Sequence, residues 1–200
     1  MTATHAAVVL AAGGSTRLGR PKQLLTRDGE ALVHRAARLA LASDASRVLV
    51  IVGALADDVA AAVSDLPVEC LVNATWNEGL AGSMRIAADA LAAHDHATLL
   101  LTCDQPALDV AHLQALLAAS RRAPSGSAAT RFGDRVGVPA VVAPSLLRAA
   151  LAVQGDRGLR DVLNVTGAGV VACDAPELAH DIDTPDDIAA AIAKGWLDPV

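Results

Sequence analysis

Short apolar runs alternate along the whole chain with alanine- and leucine-rich segments of helical length, and turn residues separate the two. The runs near 6–12, 47–52, 67–73, 97–102, 126–131, 137–142 and 169–173 predict strands, being brief, aliphatic and bounded by Gly, Asp or Pro. Segments near 31–43, 55–64, 82–93, 109–120, 144–153, 157–164 and 184–194 have the length and composition of helices. This order predicts a layered α/β fold. The runs at 6–12, 47–52 and 97–102 are apolar throughout instead of alternating, as burial on both faces of a mainly parallel sheet demands. Helices should therefore cover both faces. Ligands of such sheets gather beyond the carboxyl ends of the strands, which directs attention to segments 13–22, 73–83 and 103–106.

With 200 residues and 53% hydrophobic content the chain can bury a full core unaided. No repeat, low-complexity tract or long linker divides it, so one domain over 1–200 is expected. A net charge of -6 argues against a surface that holds nucleic acid or an anionic membrane by bulk attraction. Any anionic ligand needs a local basic cluster. Cys70, Cys103 and Cys173 are odd in number and widely spaced, which suggests neither a disulfide framework nor a zinc knuckle and suits a reducing cytosol. The N-terminus lacks the basic start and cleavage site of a secretion signal, and no apolar stretch reaches the ~20 residues of a membrane span. A cytoplasmic location follows as the expectation.

The stretch Leu10-Ala11-Ala12-Gly13-Gly14-Ser15-Thr16-Arg17-Leu18-Gly19-Arg20-Pro21-Lys22-Gln23-Leu24-Leu25 is the most informative. Gly13, Gly14 and Gly19 permit close approaches that a Cβ forbids, freeing N–H groups to face phosphate oxygens. Arg17, Arg20 and Lys22 concentrate positive charge in an otherwise acidic chain. Two familiar phosphate loops do not match. Gly14 and Gly19 have the Walker spacing, but Arg20-Pro21 follows where Lys-Ser/Thr is needed, and adjacent glycines break the dinucleotide fingerprint. A lone Gly-Gly pair reads most simply as a turn with solvated cations; three glycines and three cations after a buried strand favour phosphate binding.

The strand at 97–102 leads into Cys103-Asp104-Gln105-Pro106, which places Asp104 at the sheet's carboxyl edge. There it can cap a helix or hold a hard cation such as Mg²⁺, which favours carboxylate and phosphate oxygens. A second acidic cluster reads Asp181-Ile182-Asp183-Thr184-Pro185-Asp186-Asp187. Thr184 or Asp183 can cap a helix beginning at Pro185, and Asp186 and Asp187 suit its dipole. Asp181 and Asp183, on either side of Ile182, remain to complete a metal site with Asp104.

Within Asn73–Arg85, Ser83 can cap the next helix, while Gly79 and Gly82 let the chain pass close to a base and ribose. Alternatively, Trp76 plugs the core edge and the glycines make an ordinary turn. Gly155-Asp156-Arg157-Gly158-Leu159-Arg160 sets two cations beside one carboxylate, either for an acceptor or as an exposed turn with an internal salt bridge. His94 and His96, without a third ligand nearby, read as solvated residues at a helix end. Cys103 is expected to face the core.

Together these motifs, in order from Leu10 to Ile188, resemble the signature of the MobA-like NTP transferases, and most of all the molybdenum cofactor cytidylyltransferase branch. The resemblance implies a three-layer Rossmann-like nucleotidyltransferase fold with a mainly parallel mixed sheet. It implies that Leu10, Ala11, Ala12, Gly13, Gly14 and Ser15 wrap a triphosphate that Arg17 and Lys22 neutralise. It also implies that Asp104 binds Mg²⁺ with Asp181 or Asp183, that Gly79, Gly82 and Ser83 belong to the nucleotide pocket, and that Gly155, Asp156 and Arg160 lie on the acceptor side, where Gly137-Val138-Pro139 shapes the same wall. Ala11-Ala12-Gly13 is closer to the cytidylyl form than the guanylyl form. The implied reaction transfers CMP from CTP to a phosphorylated acceptor, foremost molybdopterin carrying molybdenum, releases pyrophosphate, and serves a recipient molybdoenzyme. Cytidylyl or guanylyl transfer to another small phosphate ester or sugar phosphate is one alternative, and a non-catalytic nucleotide-binding delivery module is another.

Overall fold

The computed structural model describes residues 5–152 and 158–199. In chain order the strands are β1 (Ala6–Ala11), β2 (Thr26–Arg27), β3 (Glu30–Ala31), β4 (Arg47–Val52), β5 (Glu69–Val72), β6 (Thr98–Thr102), β7 (Ala128–Phe132), β8 (Arg135–Val142) and β9 (Val171–Asp174). The α-helices are α1 (Leu32–Leu41), α2 (Ala56–Ala61), α3 (Leu80–Ala90), α4 (Val110–Ser120), α5 (Pro144–Ala152), α6 (Gly158–Leu163) and α7 (Pro185–Ala193).

The uniformly apolar runs become the middle of the sheet because every residue of β1 is buried, whichever face it points to. Ala7, Val9 and Ala11 pack with Val33 of α1 and Leu113 of α4. Ala6, Val8 and Leu10 pack on the opposite face with Met84 of α3, Leu147 of α5 and Leu159 of α6. Two separate cores flank one sheet, which gives the three-layer architecture that the apolar runs require.

The seven-stranded sheet runs β5-β4-β1-β6-β8-β7-β9. β1 pairs in parallel with both β4 and β6, while β8 pairs antiparallel with β6 and with β7, so the sheet is mixed but mainly parallel on the side of β1. The chain leaves β1 toward β4 and β5 and returns on the other side of β1 at β6. That reversal opens a crevice beyond the carboxyl ends of β1 and β6. The loops ending in Lys22 and Asp104 both begin there.

Several elements are shorter than the apolar pattern suggests. The helix expected over 55–64 is regular only over Ala56–Ala61, preceded by Leu55 at φ 54. The strand expected over 67–73 pairs only over Glu69–Val72, at the sheet's edge. The small β2–β3 hairpin was not expected; Asp28 (φ 55) and Gly29 (φ 77) form its turn, and the Asp198 carboxylate accepts from both of their N–H groups. Among the described residues no helix is long and apolar enough to cross a membrane.

Candidate functional site

The loop after β1 is built around a side chain that points inward. Gln23 is 2% exposed, and its Nε2 donates to the carbonyls of Ala11 (2.9 Å) and Gly13 (2.6 Å). Ser15, in the left-handed region at φ 50, donates its hydroxyl to Gln23 Oε1 at 3.4 Å and accepts from the Lys22 N–H at 3.1 Å. Leu10, Ala11 and Ala12 are buried. The Ala12 carbonyl accepts from the Ala54 N–H and the Ala11 carbonyl from Gln23, so each uses one lone pair within the protein. Gly13 differs: a Cβ there would meet nothing within 4 Å, and the residue lines a pocket of about 160 Å³ with Ser15, Thr16, Arg17, Lys22 and Asp183. Gly14 has another duty. A Cβ on it would come within 2.6 Å of the Trp76 ring, so this glycine seats the indole against the loop.

Asp104 follows β6, and its backbone carbonyl accepts from the Ile182 N–H at 3.0 Å. Ile182 is 1% exposed and packs with Leu18, Leu25, Leu32 and Ile188. With Ile182 fixed inward, strict alternation would set both of its neighbours on one face, but this segment is not a regular strand and they part. Asp183 lines the pocket of the glycine loop, whereas Asp181 lines a larger cleft of about 640 Å³ together with Asp104. Thr184 and Asp187 close a reciprocal cap on α7, so Asp187 is structural, as expected.

The two cavities meet at one ion pair. Lys22 Nζ donates to Asp104 Oδ2 at 2.6 Å and to Asp183 Oδ1 at 2.9 Å, and Arg17 reaches Asp183 Oδ2 at 2.7 Å. The sequence separates Lys22 from Asp104 by 82 positions; the fold places them in direct contact. Burial alone would lower the Lys22 pKa, but the charge and hydrogen bond of Asp104, with Asp183 behind it, hold it above the usual lysine range. Burial would likewise raise Asp183, yet Lys22 and Arg17 keep it below the usual carboxylate range. Asp181 behaves oppositely. Although the residue is exposed at the rim, protein atoms desolvate its carboxyl, and with the charge of Asp104 they push it up to about 6.

These carboxylates suit a hard divalent cation. Asp104 Oδ1 is buried without a hydrogen-bond partner, and a carboxylate oxygen in that position lacks the compensation that burial calls for. Asp181 beside it is raised partly by Asp104, a repulsion that a cation would relieve. Asp104, Asp181 and Asp183 do not converge as one three-ligand cluster; no group of three His, Cys, Asp or Glu placed to hold a metal occurs among the described residues. Asp183 is turned to the loop cations. The two carboxylates of the larger cleft match the small protein share that magnesium takes when phosphates and waters complete its shell.

The middle segment departs from expectation at Ser83. α3 begins at Leu80, where Gly79 (φ 105) supplies the turn into the helix, so Ser83 lies inside the first turn and caps nothing. It is 2% exposed and its hydroxyl accepts from Asn73 Nδ2 at 3.0 Å. Gly82 packs on the same asparagine, since a Cβ there would meet Asn73 Nδ2 at 3.2 Å. Trp76 both plugs the core edge and borders the loop, combining the two readings of its sequence context.

On the far side of the ion pair, the larger cleft has walls from Phe132, Val136, Val138, Leu159, Leu163 and Leu178, with Arg135 and Arg160 among its lining. Gly137 lies against the Phe132 ring, which a Cβ would approach to 3.2 Å. Arg135 and Phe132 were not anticipated from the sequence. Gly155 and Asp156 lie outside the described residues, whereas Arg160 lines the cleft. Cys103 is fully buried and its thiol is pushed up to about 12 by burial and then by Asp104. His94 and His96 stack edge to face with ring centroids 5.5 Å apart.

Comparison with known proteins agrees with this fold. The model of the MobA-like NTP transferase domain matches residues 7–169. Nicotine blue oxidoreductase from Paenarthrobacter nicotinovorans is 35% identical over 190 residues, covering 90% of this chain and 93% of its own. The crystal structure of Rv0371c from Mycobacterium tuberculosis H37Rv superposes with a TM-score of 0.78 at 25% identity, covering 95% of this chain and 98% of that one. Its complex with manganese gives 0.76 at 24% identity over the same shares. A nucleotidyl transferase from Methanothermobacter reaches a TM-score of 0.80 at 24% identity, with 96% and 97% covered.

Proposed function

The chain belongs to the MobA-like NTP transferase family, and from the build of its cleft we propose that it transfers CMP from CTP to a phosphorylated acceptor and releases pyrophosphate. The observation that carries this reading is the Lys22–Asp104 contact, which joins a small pocket of glycine backbone and cations to a larger apolar cleft ending in carboxylates. A triphosphate laid across that junction has its β- and γ-phosphates against Gly13, Ser15, Arg17 and Lys22 and its α-phosphorus near Asp104. The acceptor phosphate then approaches from the larger cleft, where Arg135 and Arg160 draw anions.

Lys22 and Arg17 stabilise the charge that moves onto departing pyrophosphate, and they are held in place before the reaction by Asp104 and Asp183. Asp104 and Asp181 would hold Mg²⁺, which when bound neutralises phosphate oxygens and orients them for in-line attack. The manganese complex of the mycobacterial structure supports a divalent ion in this fold. An acceptor phosphate is already ionised near neutral pH and needs no general base. Gly79 and the start of α3 approach the nucleoside, while Gly82 and Ser83 act through Asn73. Molybdopterin is the leading acceptor, by the likeness of Ala11-Ala12-Gly13 to the cytidylyl branch and by the size and apolar walls of the cleft.

The test is to incubate the protein with each NTP, Mg²⁺ and either molybdopterin or a sugar phosphate while following pyrophosphate. Release with CTP and molybdopterin supports the full reading. Release only with GTP or only with sugar phosphate corrects the base or the acceptor. A second reading, oxidoreduction in the same cleft, is favoured by the name of the Paenarthrobacter relative. Redox turnover without pyrophosphate release under any NTP would replace the transferase reading.

A further inference from the structure

We propose that Gln23 is the positioning residue that sets the phosphate-binding shape of the glycine loop, an inference that rests on reading that loop as a triphosphate cradle. Gln23 is polar yet 2% exposed, and all three of its amide contacts are within the loop or at its root. Its terminal amide has one possible orientation. The carbonyls of Ala11 and Gly13 both face one terminal atom, at 2.9 and 2.6 Å, and only an NH₂ can serve two acceptors. The remaining oxygen therefore faces the Ser15 hydroxyl, 3.4 Å away.

Each contact has a consequence on the ligand side. A peptide unit is planar and trans, so drawing the Gly13 carbonyl inward turns the Gly14 N–H outward. Holding Ser15 at φ 50 beside that unit gives the alternating backbone of an anion-binding concavity. Ser15 also accepts from the Lys22 N–H, so the same network fixes the short 3₁₀ turn Lys22–Leu24. That turn carries the Lys22 ammonium toward Asp104 and the Gln23 amide into the core. The loop's outward N–H groups and its lysine are thus positioned by one buried amide that never touches the nucleotide.

The experiment compares wild type with Gln23→Glu and Gln23→Met, which keep the side-chain length but remove the two donors. Binding of inorganic pyrophosphate with MgCl₂ is measured by calorimetry, melting temperature reports the fold, and amide NMR follows the Gly14 resonance. A side chain important only for stability would lower the melting temperature and leave the affinity of the folded protein unchanged. Measured well below both melting temperatures, pyrophosphate affinity is expected to fall by about tenfold or more, equivalent to about 1.4 kcal/mol of lost preorganisation, with the Gly14 response to pyrophosphate abolished. Affinity within twofold of wild type in both variants overturns it. Should both fail to fold, Gln23→Asn decides the matter: it keeps a terminal amide but is one methylene too short to reach both the Ala11 and Gly13 carbonyls, so unchanged pyrophosphate affinity overturns the proposal and a several-fold loss supports it. If wild type itself binds no pyrophosphate, the triphosphate reading of the loop falls, and this inference with it.

Discussion

Replacing Lys22 with Met removes the ammonium while keeping most of the stem, and the structure predicts that two properties then move in opposite directions. In the free protein the ammonium lies 2.6 Å from Asp104 Oδ2 and 2.9 Å from Asp183 Oδ1. The Lys22 and Asp104 side chains are only 16% and 14% exposed, so solvent screens this contact weakly. A divalent cation arriving at Asp104 without nucleotide competes with that ammonium. A charge-assisted hydrogen bond contributes about 1.5–3 kcal/mol; with Asp183 still held by Arg17, about half of that separates the two proteins, which corresponds to about 4- to 12-fold tighter Mn²⁺ binding in the variant. Turnover should fall instead, by about 10²–10³-fold, the usual loss when a preorganised group facing a developing charge is removed. Mn²⁺ titration by electron paramagnetic resonance measures the first effect, and coupled detection of pyrophosphate measures the second. A generally damaged site loses both. Unchanged or weaker Mn²⁺ binding would refute the competition, and turnover within about twofold of wild type would remove Lys22 from the reaction.

Asp104→Asn leaves the fold intact but lowers metal-dependent turnover by roughly 10³-fold, and turnover close to wild type would exclude Asp104 from the metal site. Gly53→Ala brings a Cβ to 2.6 Å from Trp76 Cβ and 2.7 Å from the Ala12 carbonyl. Overpacking of this kind costs about 1–3 kcal/mol, a fall in Tm of roughly 2–12 °C by calorimetry, whereas Gly13→Ala, facing open space, leaves Tm unchanged and weakens nucleotide binding. Glu30 is held at about 2 by its hydrogen bonds to Arg38, which outweigh burial, and then to His34. A depressed carboxylate stabilises the fold above its unfolded value of 4.5, and that contribution is lost as pH falls toward 2. Glu30→Gln should flatten this limb of the stability curve in urea melts, and an unchanged slope would contradict the assignment.

The central strands were legible because β1, β4 and β6 are buried on both faces, which removes the polar half of the usual alternation. The insertion of β8 between β6 and β7 was not, since pairing partners are chosen by packing across the whole domain. The β2–β3 hairpin did announce itself in Asp28-Gly29, but its two-residue arms are too short to show a period. The parting of Asp181 and Asp183 was not readable, because alternation around buried Ile182 would put both on one face and only the irregular backbone there separates them. Ser83 misled because a serine near a helix start is usually a cap; here Gly79 opens the helix earlier and Asn73 claims the hydroxyl. Gln23 gave no local sign of burial. A glutamine in a polar loop looks solvated, and only the two inward carbonyls reveal why it is not.

The most direct measurement is an anomalous diffraction map from crystals grown with CTP and Mn²⁺. The account predicts one manganese peak within coordination distance of Asp104 Oδ1, with the terminal phosphates of CTP against Gly13, Arg17 and Lys22. Manganese elsewhere, or a triphosphate bound away from the Lys22–Asp104 junction, would contradict it.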